Sequence, residues 1–251
     1  MAGQSYLFAG VAGYVGRPEA KGDVGVFRRA TGAGSWSHVL GSVECFAVNV
    51  HPTDASVVLA GTSDGVWLSN DHGATFKRAR FPDAGHQVWS FVVDSRDPKR
   101  IWAGGSPVAI YMSEDTGASW QKMPDPGIKD RCTGPFKTRV MRMVQHPTRA
   151  AEIYAALEIN GAMMSPDGGM SWVDCTADLL RLAELPHLKS KIVSDTFAEG
   201  MLDGHAITIA PAEPDAVVIA CRMGLFKSTD KGRSWVDMEM KRFSPVTYGR
   251  D

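Results

Sequence analysis

The octapeptide SEDTGASW, Ser113 to Trp120, decides the fold, because three other segments repeat its pattern. The copies read SNDHGATF, SPDGGMSW and STDKGRSW and begin at residues 69, 165 and 228. A divergent copy, RATGAGSW at 29–36, keeps the final Ser and Trp but lacks the Asp and the Gly of the pattern. Recurrence at intervals of roughly 40 to 60 residues is typical of repeat architectures.

The segments before each octapeptide predict short strands. Each copy follows an apolar run that breaks into a Pro-containing turn, then a β-rich run such as VVLAGT or EIYAAL, then a third such as GVWLS. The residues after the Phe or Trp supply a fourth strand. Four short antiparallel strands per unit indicate an all-β fold, a β-propeller of four-stranded blades. Blades two to five are expected at 43–82, 86–123, 138–175 and 204–242.

The ends of the chain leave two interpretations open. YLFAG at 6–10 matches the second strand of a unit, so blade one is expected to lack its innermost strand. About five blades are therefore present, within one domain over 1–251. We favour a C-terminally incomplete fragment of a six- or seven-bladed ring, since Tyr248–Asp251 makes a poor inner strand. The alternative is a closed five-bladed ring, completed by Pro245–Asp251.

The octapeptide has a structural interpretation. Its Asp can accept backbone N–H groups two residues on in an Asx-type turn, its Gly permits positive φ, and its aromatic residue buries a large area between sheets. Its spacing does not resemble a calcium loop. We therefore interpret these residues as structural: Ser69, Asp71, Gly73, Phe76, Ser113, Asp115, Gly117, Trp120, Ser165, Asp167, Gly169, Trp172, Ser228, Asp230, Gly232 and Trp235.

Composition excludes several classes of protein. Lys plus Arg number 27 and Asp plus Glu 28, a balance that predicts neither a nucleic-acid nor a membrane partner. No apolar run approaches the roughly 20 residues of a membrane helix, and no signal peptide is recognisable at the start. The four cysteines lie far apart without a C-x-x-C motif, which indicates reduced thiols in the cytoplasm and no zinc site. No metal or cofactor is predicted.

Loop length indicates where a site would lie. The connections 124–137 and 176–203 are long and flank blade four, and long loops on a rigid scaffold often carry function. The second is an inter-blade insertion with a short helix, in which Thr176 can cap and Leu179, Leu182 and Ala183 share one face. We expect this pair of loops to wall a pocket.

Polar residues recur where the first strand of each blade begins. Aligning these strands on their Pro turns places Glu44, Gln87, Arg139 and Asp203 in one column. This column is either a rim of polar side chains in contact with solvent or a ring of groups that bind a ligand. His205 aligns with a bulky apolar column, so it is either a core residue or part of the site. The predicted substrate-binding residues are Glu44, Arg139, Arg142, His205, Arg222 and Arg250.

Three acids are candidates for catalysis. Glu158 stands at the end of a strand in blade four, beside the expected position of Arg139, and Glu199 and Asp203 lie in the stretch AEGMLDGH. Glycosidases require two carboxyl groups about 5–10 Å apart. We take Glu158 with Asp203 or Glu199 as the candidate pair.

The octapeptide resembles the Asp-box, or BNR, repeat of sialidase-like and glycosyl-hydrolase-like propellers, and the chain is similar almost throughout to xyloglucanase-type and sortilin-type propellers. Its blades are of the WD40/YVTN-repeat-like kind. The resemblance implies that the box is structural and that the chain acts on or binds a carbohydrate. The F-R-I-P segment of sialidases is absent and no motif joins Arg139, Arg222 and Arg250 into an arginine triad, so strict sialidase activity is not indicated.

Two functions follow from these observations. The first is a glycoside-hydrolase-like propeller that acts on or binds a carbohydrate or another small molecule. The alternative is a non-catalytic propeller scaffold that binds a protein or a small anion. Fold alone does not choose between them.

Overall fold

The computed structural model describes residues 4–13, 22–133 and 137–240. These residues form antiparallel β-sheets in which each strand pairs with the next along the chain. The predicted class, an all-β propeller of four-stranded antiparallel blades, is confirmed. None of the helices in the described residues is long and apolar enough to cross a lipid bilayer.

The chain separates into two compact units. Unit 1 comprises Met1–Ala103 and Tyr111–Lys122, and unit 2 comprises Gly104–Ile110 and Met123–Asp251. Each unit is described by itself below. The assignment of 1–251 to one domain stays a prediction.

Nineteen strands make up the sheets of the described residues. The first sheet contains β1 (Tyr6–Val11), β2 (Gly25–Ala30) and β3 (Ser37–Leu40). The second contains β4 (Cys45–Val50), β5 (Val58–Thr62), β6 (Gly65–Ser69) and β7 (Lys77–Arg78). The third contains β8 (Gln87–Val93), β9 (Ile101–Ser106), β10 (Ile110–Ser113) and β11 (Gln121–Lys122).

The last two sheets belong to unit 2. The fourth contains β12 (Arg139–Gln145), β13 (Ile153–Glu158), β14 (Gly161–Ser165) and β15 (Val173–Asp174). The fifth contains β16 (Gly204–Ile209), β17 (Val217–Cys221), β18 (Gly224–Ser228) and β19 (Val236–Asp237). Between them lie helix α1 (Ala177–Ala183), a 3-10 helix (Pro186–Leu188) and helix α2 (Glu199–Leu202).

The first sheet has three strands in the described part of the chain, where the sequence predicts a blade without its innermost strand. Pro245–Asp251, the segment considered for ring closure, lies outside the described residues. A six- or seven-bladed origin and a closed five-bladed ring therefore both stay predictions.

Helix α1 occupies the insertion at the place where the sequence predicts a helix. Thr176 is its N-cap residue, and Leu179, Leu182 and Ala183 are buried. The Thr176 side chain makes no capping bond to the helix; its hydroxyl bonds instead to the backbone of Asn160 and Ala162. These helix residues join one apolar core with Phe226 and residues of the fourth and fifth sheets. Burial of the apolar face of α1 in this core therefore holds the insertion in place.

Each full octapeptide forms the same hairpin turn, with its Ser and Asp at the centre. In the copy of blade three, Ser113 Oγ donates to Asp115 Oδ1 at 2.8 Å and accepts from Gly117 N at 2.9 Å. Asp115 accepts from Ser119 N at 2.8 Å and from Ser119 Oγ. Gly117 has φ +90°, and Thr116 before it has φ +61°. The Ser, Asp and Gly thus bond within the turn itself, and their structural role stays a prediction.

Two expectations for the octapeptide need correction. The Asp does not close an Asx turn two residues on: its carboxylate reaches Ser119 N, four residues on, and the Ser hydroxyl accepts the near N–H groups. Burial of the aromatic residue is also uneven. Trp235 is 2% exposed and Trp120 7%, Phe76 and Trp172 are half-buried, and Trp36 of the divergent copy is 43% exposed, so only two of the five copies bury the ring.

The octapeptide carboxylates make the fold sensitive to acid. Burial raises the pKa of Asp230, but hydrogen bonds from the side chain and backbone of Ser234 outweigh it and lower the pKa from 3.8 to about 2. A lowered pKa in the folded state adds stability above the unfolded value, and this is lost as pH falls through the folded one. We therefore expect thermal stability to fall between about pH 4 and pH 2.

Asp230→Asn tests this contribution. At pH 7 the variant should be destabilised by about 1 kcal/mol or less, because the site is partly solvated. The difference in Tm from the wild type should shrink as pH is lowered from 4 to 2. Asp195→Asn is the control, because Asp195 is fully exposed and lies outside the octapeptides. A difference in Tm that stays constant down to pH 2 would contradict the role of this carboxylate.

Candidate functional site

The candidate site lies in unit 2, at the edge of the fourth sheet where β12 begins and β13 ends. Arg139, the first residue of β12, pairs in register with Glu158, the last residue of β13. Arg139 Nη1 lies 2.7 Å from Glu158 Oε2, and the two side chains are 9% and 2% exposed. The predicted proximity of these residues is confirmed. Each charge is compensated by the other, as the burial of ions requires.

A second ionic group is built from the fifth sheet. Asp203 lies between α2 and β16, and Arg222 occupies the two-residue turn between β17 and β18. Arg222 Nε lies 3.1 Å and His205 Nε2 3.2 Å from Asp203 Oδ2. Asp203 is 4% exposed at its side chain, whereas His205 is 19% and Arg222 29% exposed. The carboxylate is thus buried, and its two partners reach solvent.

His205 is directed to Asp203 by a β-bulge. The pairing of β16 with β17 shifts between Gly204 and Ala206, so His205 is the extra residue. The first strands of the second and fourth sheets shift at the aligned positions, where Phe46 and Met141 are the extra residues. A bulge re-aims a side chain relative to the regular ladder. The column predicted from the Pro turns therefore coincides with a β-bulge in the second, fourth and fifth sheets.

The two ionic groups lie close together. One ligand atom from each of Glu158, Asp203 and His205 falls within 4.8 Å of the others. We call these three residues with Arg139 and Arg222 the ionic cluster. Burial opposes ionisation of Asp203, but hydrogen bonding and charge from His205, then from Arg222, outweigh it and hold the pKa of Asp203 below its usual value. Asp203 is therefore ionised at neutral pH.

A divalent cation would find suitable donor atoms in the ionic cluster, since carboxylates and imidazole bind transition metals. Arg139 and Arg222, however, already neutralise the two carboxylates, through Oε2 of Glu158 and Oδ2 of Asp203. The cluster is balanced in charge before any ligand arrives. Its groups fit a polar ligand better than an added cation.

Glu199, the third predicted acid, holds the insertion together. Its oxygens accept from the backbone N–H groups of Ile192, Val193 and Ser194 at 2.9–3.2 Å, and from Ser194 Oγ at 2.9 Å. Burial raises its pKa, but these hydrogen bonds outweigh it, so the net shift is downward. Glu199 is not one of the residues that meet at the ionic cluster, and its predicted catalytic role stays a prediction without a contact to support it.

The remaining predicted residues are not members of the ionic cluster or fall outside the described residues. Glu44 belongs to unit 1, where its Oε1 accepts from Gly13 N at 2.6 Å. Arg142 is exposed on β12. Arg250, and Tyr248 with it, falls in the undescribed residues 241–251. The structure therefore brings together Glu158, Asp203, Arg139, Arg222 and His205.

Sequence reasoning missed two residues beside Glu158. Asn160, fully buried in the turn after β13, donates to Lys129 O at 3.0 Å, and its side-chain oxygen accepts from Arg131 Nη1 at 3.0 Å. Arg131 also pairs with Asp174. These bonds fasten the described part of loop 124–137 to the turn. The Asn-Gly pair after Glu158 is a turn signal that could have drawn attention to this position.

Comparison with known proteins supports the fold alone. Protein-family models give no match, and curated proteins give none. Among solved structures the chain is similar to an ancestral GH74 enzyme (TM-score 0.58, 16% identity, covering 84% of this chain and 28% of that one). It is also similar to the Niastella koreensis GH74 enzyme (0.58, 15%, 92% and 36%) and to the β-propeller domain of Cps50 (Swd1) from Myceliophteria thermophila (0.53, 14%, 79% and 55%).

These similarities define the class of the chain, a β-propeller. At 14–16% identity they carry no residue roles across. The chain spans about a third of the length of the two GH74 enzymes.

Proposed function

We propose that the chain is an Asp-box propeller of the sialidase-like and glycosyl-hydrolase-like kind, and that it binds a carbohydrate at the ionic cluster without hydrolysing it. The four octapeptide turns support the Asp-box assignment, because each places its Ser, Asp and Gly in one bonding pattern. A cytoplasmic location is consistent with four free, buried cysteines, and it too remains a proposal.

The binding role rests on a difference in solvent exposure between the members of the ionic cluster. Glu158 and Asp203 are buried, while His205 and Arg222 are partly open to solvent. A ligand would meet the imidazole and the guanidinium, both held in place by the carboxylate beneath. Such donors suit the hydroxyl, ring or carboxylate oxygens of a sugar, and preorganisation lowers the entropic cost of binding.

Hydrolysis is a weaker candidate on the same geometry. The separation of at most 4.8 Å between the carboxylate atoms is close to the about 5 Å of retaining glycosidases. A glycosidase, however, needs one carboxyl group that is protonated near neutral pH, with a raised pKa. The pKa of Asp203 is lowered, and Glu158 is ion-paired with Arg139. Asp203 is therefore not poised to donate a proton, and the guanidinium of Arg139 occupies Oε2 of Glu158.

The experiment measures binding and hydrolysis together on a panel of neutral and acidic glycans. We expect saturable binding by calorimetry without release of reducing ends. Arg222→Gln and His205→Gln should each weaken binding about tenfold, the loss of one hydrogen bond to the ligand. Arg233→Gln is the matched control, since Arg233 is exposed and lies in the octapeptide of blade five.

Three other results would each contradict part of the proposal. Release of reducing ends that is lost in Glu158→Gln would establish a hydrolase instead. Binding of acetate or phosphate, with no glycan bound, would favour the alternative of a small-anion scaffold. Glycan binding that is unchanged in both Arg222→Gln and His205→Gln would remove the ionic cluster from the role.

A further inference from the structure

Unit 1 contains a groove along the segment that follows the octapeptide of blade two. One cavity of about 340 Å³ is lined by Asp71, Thr75, Lys77, Arg78, Ala79 and Ala118, among others. A second, of about 510 Å³, is lined by Arg78, Ala79, Arg80, Phe81, Pro82 and Trp120. The two cavities share Arg78 and Ala79 in their linings, so they are neighbours, and we call them together the basic groove. Volumes of this size are typical of ligand sites.

The basic residues of this groove are not required by the repeat. After the octapeptide, blade two reads KRAR at 77–80, whereas the corresponding segments read QKMP at 121–124, VDCT at 173–176 and VDME at 236–239. Three cations in four residues thus occur in one blade, and the other three carry one or none. The chain as a whole has a net charge of only -1, so the groove departs from the average surface.

The cations are more available than the acids around them. Lys77 and Arg80 are exposed, and their side chains form no hydrogen bond or ion pair with other described residues. Asp71 already accepts from Ser69, Ala74 and Thr75. Asp115, which lies within electrostatic reach of Arg80, accepts from Ser113 and Ser119. Arg78 donates from Nη2 to Asp64 Oδ1 at 2.7 Å, in a pair whose side chains are 43% and 38% exposed. An exposed pair of this kind contributes about 0–1 kcal/mol, so a ligand carboxylate can exchange with Asp64 at Arg78. The groove therefore offers unused donors at Lys77 and Arg80 and an exchangeable one at Arg78.

The backbone holds these cations at a fixed spacing. Arg80 N donates to Ala118 O at 3.0 Å, and Arg80 O accepts from Trp120 N at 2.9 Å, so the segment is pinned beside the octapeptide of blade three. Arg78 and Arg80 are alternate residues of an extended backbone, which places their Cα atoms roughly 6.5 Å apart. Ala79 and Ala118 supply only methyl groups to the walls between them.

We propose that this groove binds an acidic peptide segment in extended conformation, with carboxylates at alternate positions paired to Arg78 and Arg80. An extended peptide repeats its side chains on one side at the same spacing as the two arginines, and arginine–carboxylate pairs are charge-assisted. A sugar is disfavoured because the nearby rings are engaged: Trp120 is 7% exposed, and Phe81 packs on Tyr111 at 4.3 Å between ring centroids.

Fluorescence anisotropy tests the proposal on the whole chain. The probe is a labelled octapeptide that alternates Asp with Ser, and its control has the same composition with the four Asp residues contiguous. We expect the alternating peptide to bind more tightly and its affinity to fall with salt. Arg80→Gln should raise its Kd about tenfold or more. Lys99→Gln, which removes one exposed positive charge elsewhere in unit 1, should leave Kd within about twofold.

Arg80 is exposed and not ion-paired, so Arg80→Gln is expected to keep the Tm of the wild type. The same Kd in the wild type and Arg80→Gln would overturn the proposal, as would equal binding of the two peptides. Arg80-dependent binding of a sulfated glycan, with neither peptide bound, would assign the groove to a different ligand and also overturn it. None of these outcomes depends on glycan binding at the ionic cluster in unit 2, so the two proposals fail independently.

Discussion

Glu158→Ala is expected to lower the free energy of unfolding by about 3–5 kcal/mol, because it leaves the guanidinium of Arg139 buried without its carboxylate. The pair is separated by 2.7 Å, and Arg139 is only 9% exposed, so water cannot readily replace the lost partner. Urea unfolding followed by circular dichroism measures the effect. Glu114→Ala is the control, since the pair of Glu114 with Arg100 is largely exposed and should contribute about 0–1 kcal/mol.

A double substitution separates charge burial from packing. Arg139→Met with Glu158→Leu removes both charges and keeps apolar volume, and buried ion pairs replaced in this way are often neutral or more stable. We expect the double variant to recover most of the stability lost in Glu158→Ala. A Glu158→Ala variant as stable as Glu114→Ala would show that the pair is solvated in solution. A double variant less stable than Glu158→Ala would show that the pair itself contributes net stability.

Trp235→Ala is expected to cost about 3–5 kcal/mol, the range for removing a large aromatic side chain from a core. Trp235 is 2% exposed, packs in the core that contains α1, and donates from Nε1 to Cys175 O at 2.9 Å. Its loss removes both the apolar contact and the bond that joins the octapeptide of blade five to blade four. Thermal and urea unfolding measure the change.

Trp36→Ala supplies the matched control, since the same residue type stands at the same position of the divergent octapeptide. Trp36 is 43% exposed and lies under the guanidinium of Arg29 at 5.1 Å. Its removal should cost about 1 kcal/mol or less. Equal losses in the two variants would mean that burial of the ring does not govern its contribution.

The strands and their alignment could be predicted from sequence because both depend on local patterns. The octapeptide fixes a turn through hydrogen bonds within eight residues, and the Pro turns fix which residues occupy equivalent places. That alignment placed Arg139 beside Glu158 and put His205 in the column of Phe46 and Met141. The alignment could not show that these three residues are the extra residues of β-bulges, because a bulge depends on the partner strand as well as on the bulged residue.

The candidate site was less predictable because it depends on distances between side chains from different strands. The sequence does not distinguish Glu158, Asp203 and Glu199 as candidate acids. In the structure the carboxylates of Glu158 and Asp203 lie close together, whereas Glu199 accepts hydrogen bonds from backbone N–H groups of its own loop. The pairing of Arg222 with Asp203 joins residues 19 apart, with strands β16 and β17 and their connecting turn between them. The partial exposure of His205 and Arg222, on which the proposed binding role rests, is set by tertiary packing. No local sequence pattern encodes it.

The shared bulge has a consequence for how such a chain can change. In the second, fourth and fifth sheets the extra residue of the first strand is not held opposite a single partner residue, so its side chain can be exchanged while the hydrogen-bond ladder stays intact. One repeat can therefore hold phenylalanine, another methionine and a third histidine at the same place. A repeat protein built in this way can acquire new chemistry one module at a time, with the other modules preserving its architecture.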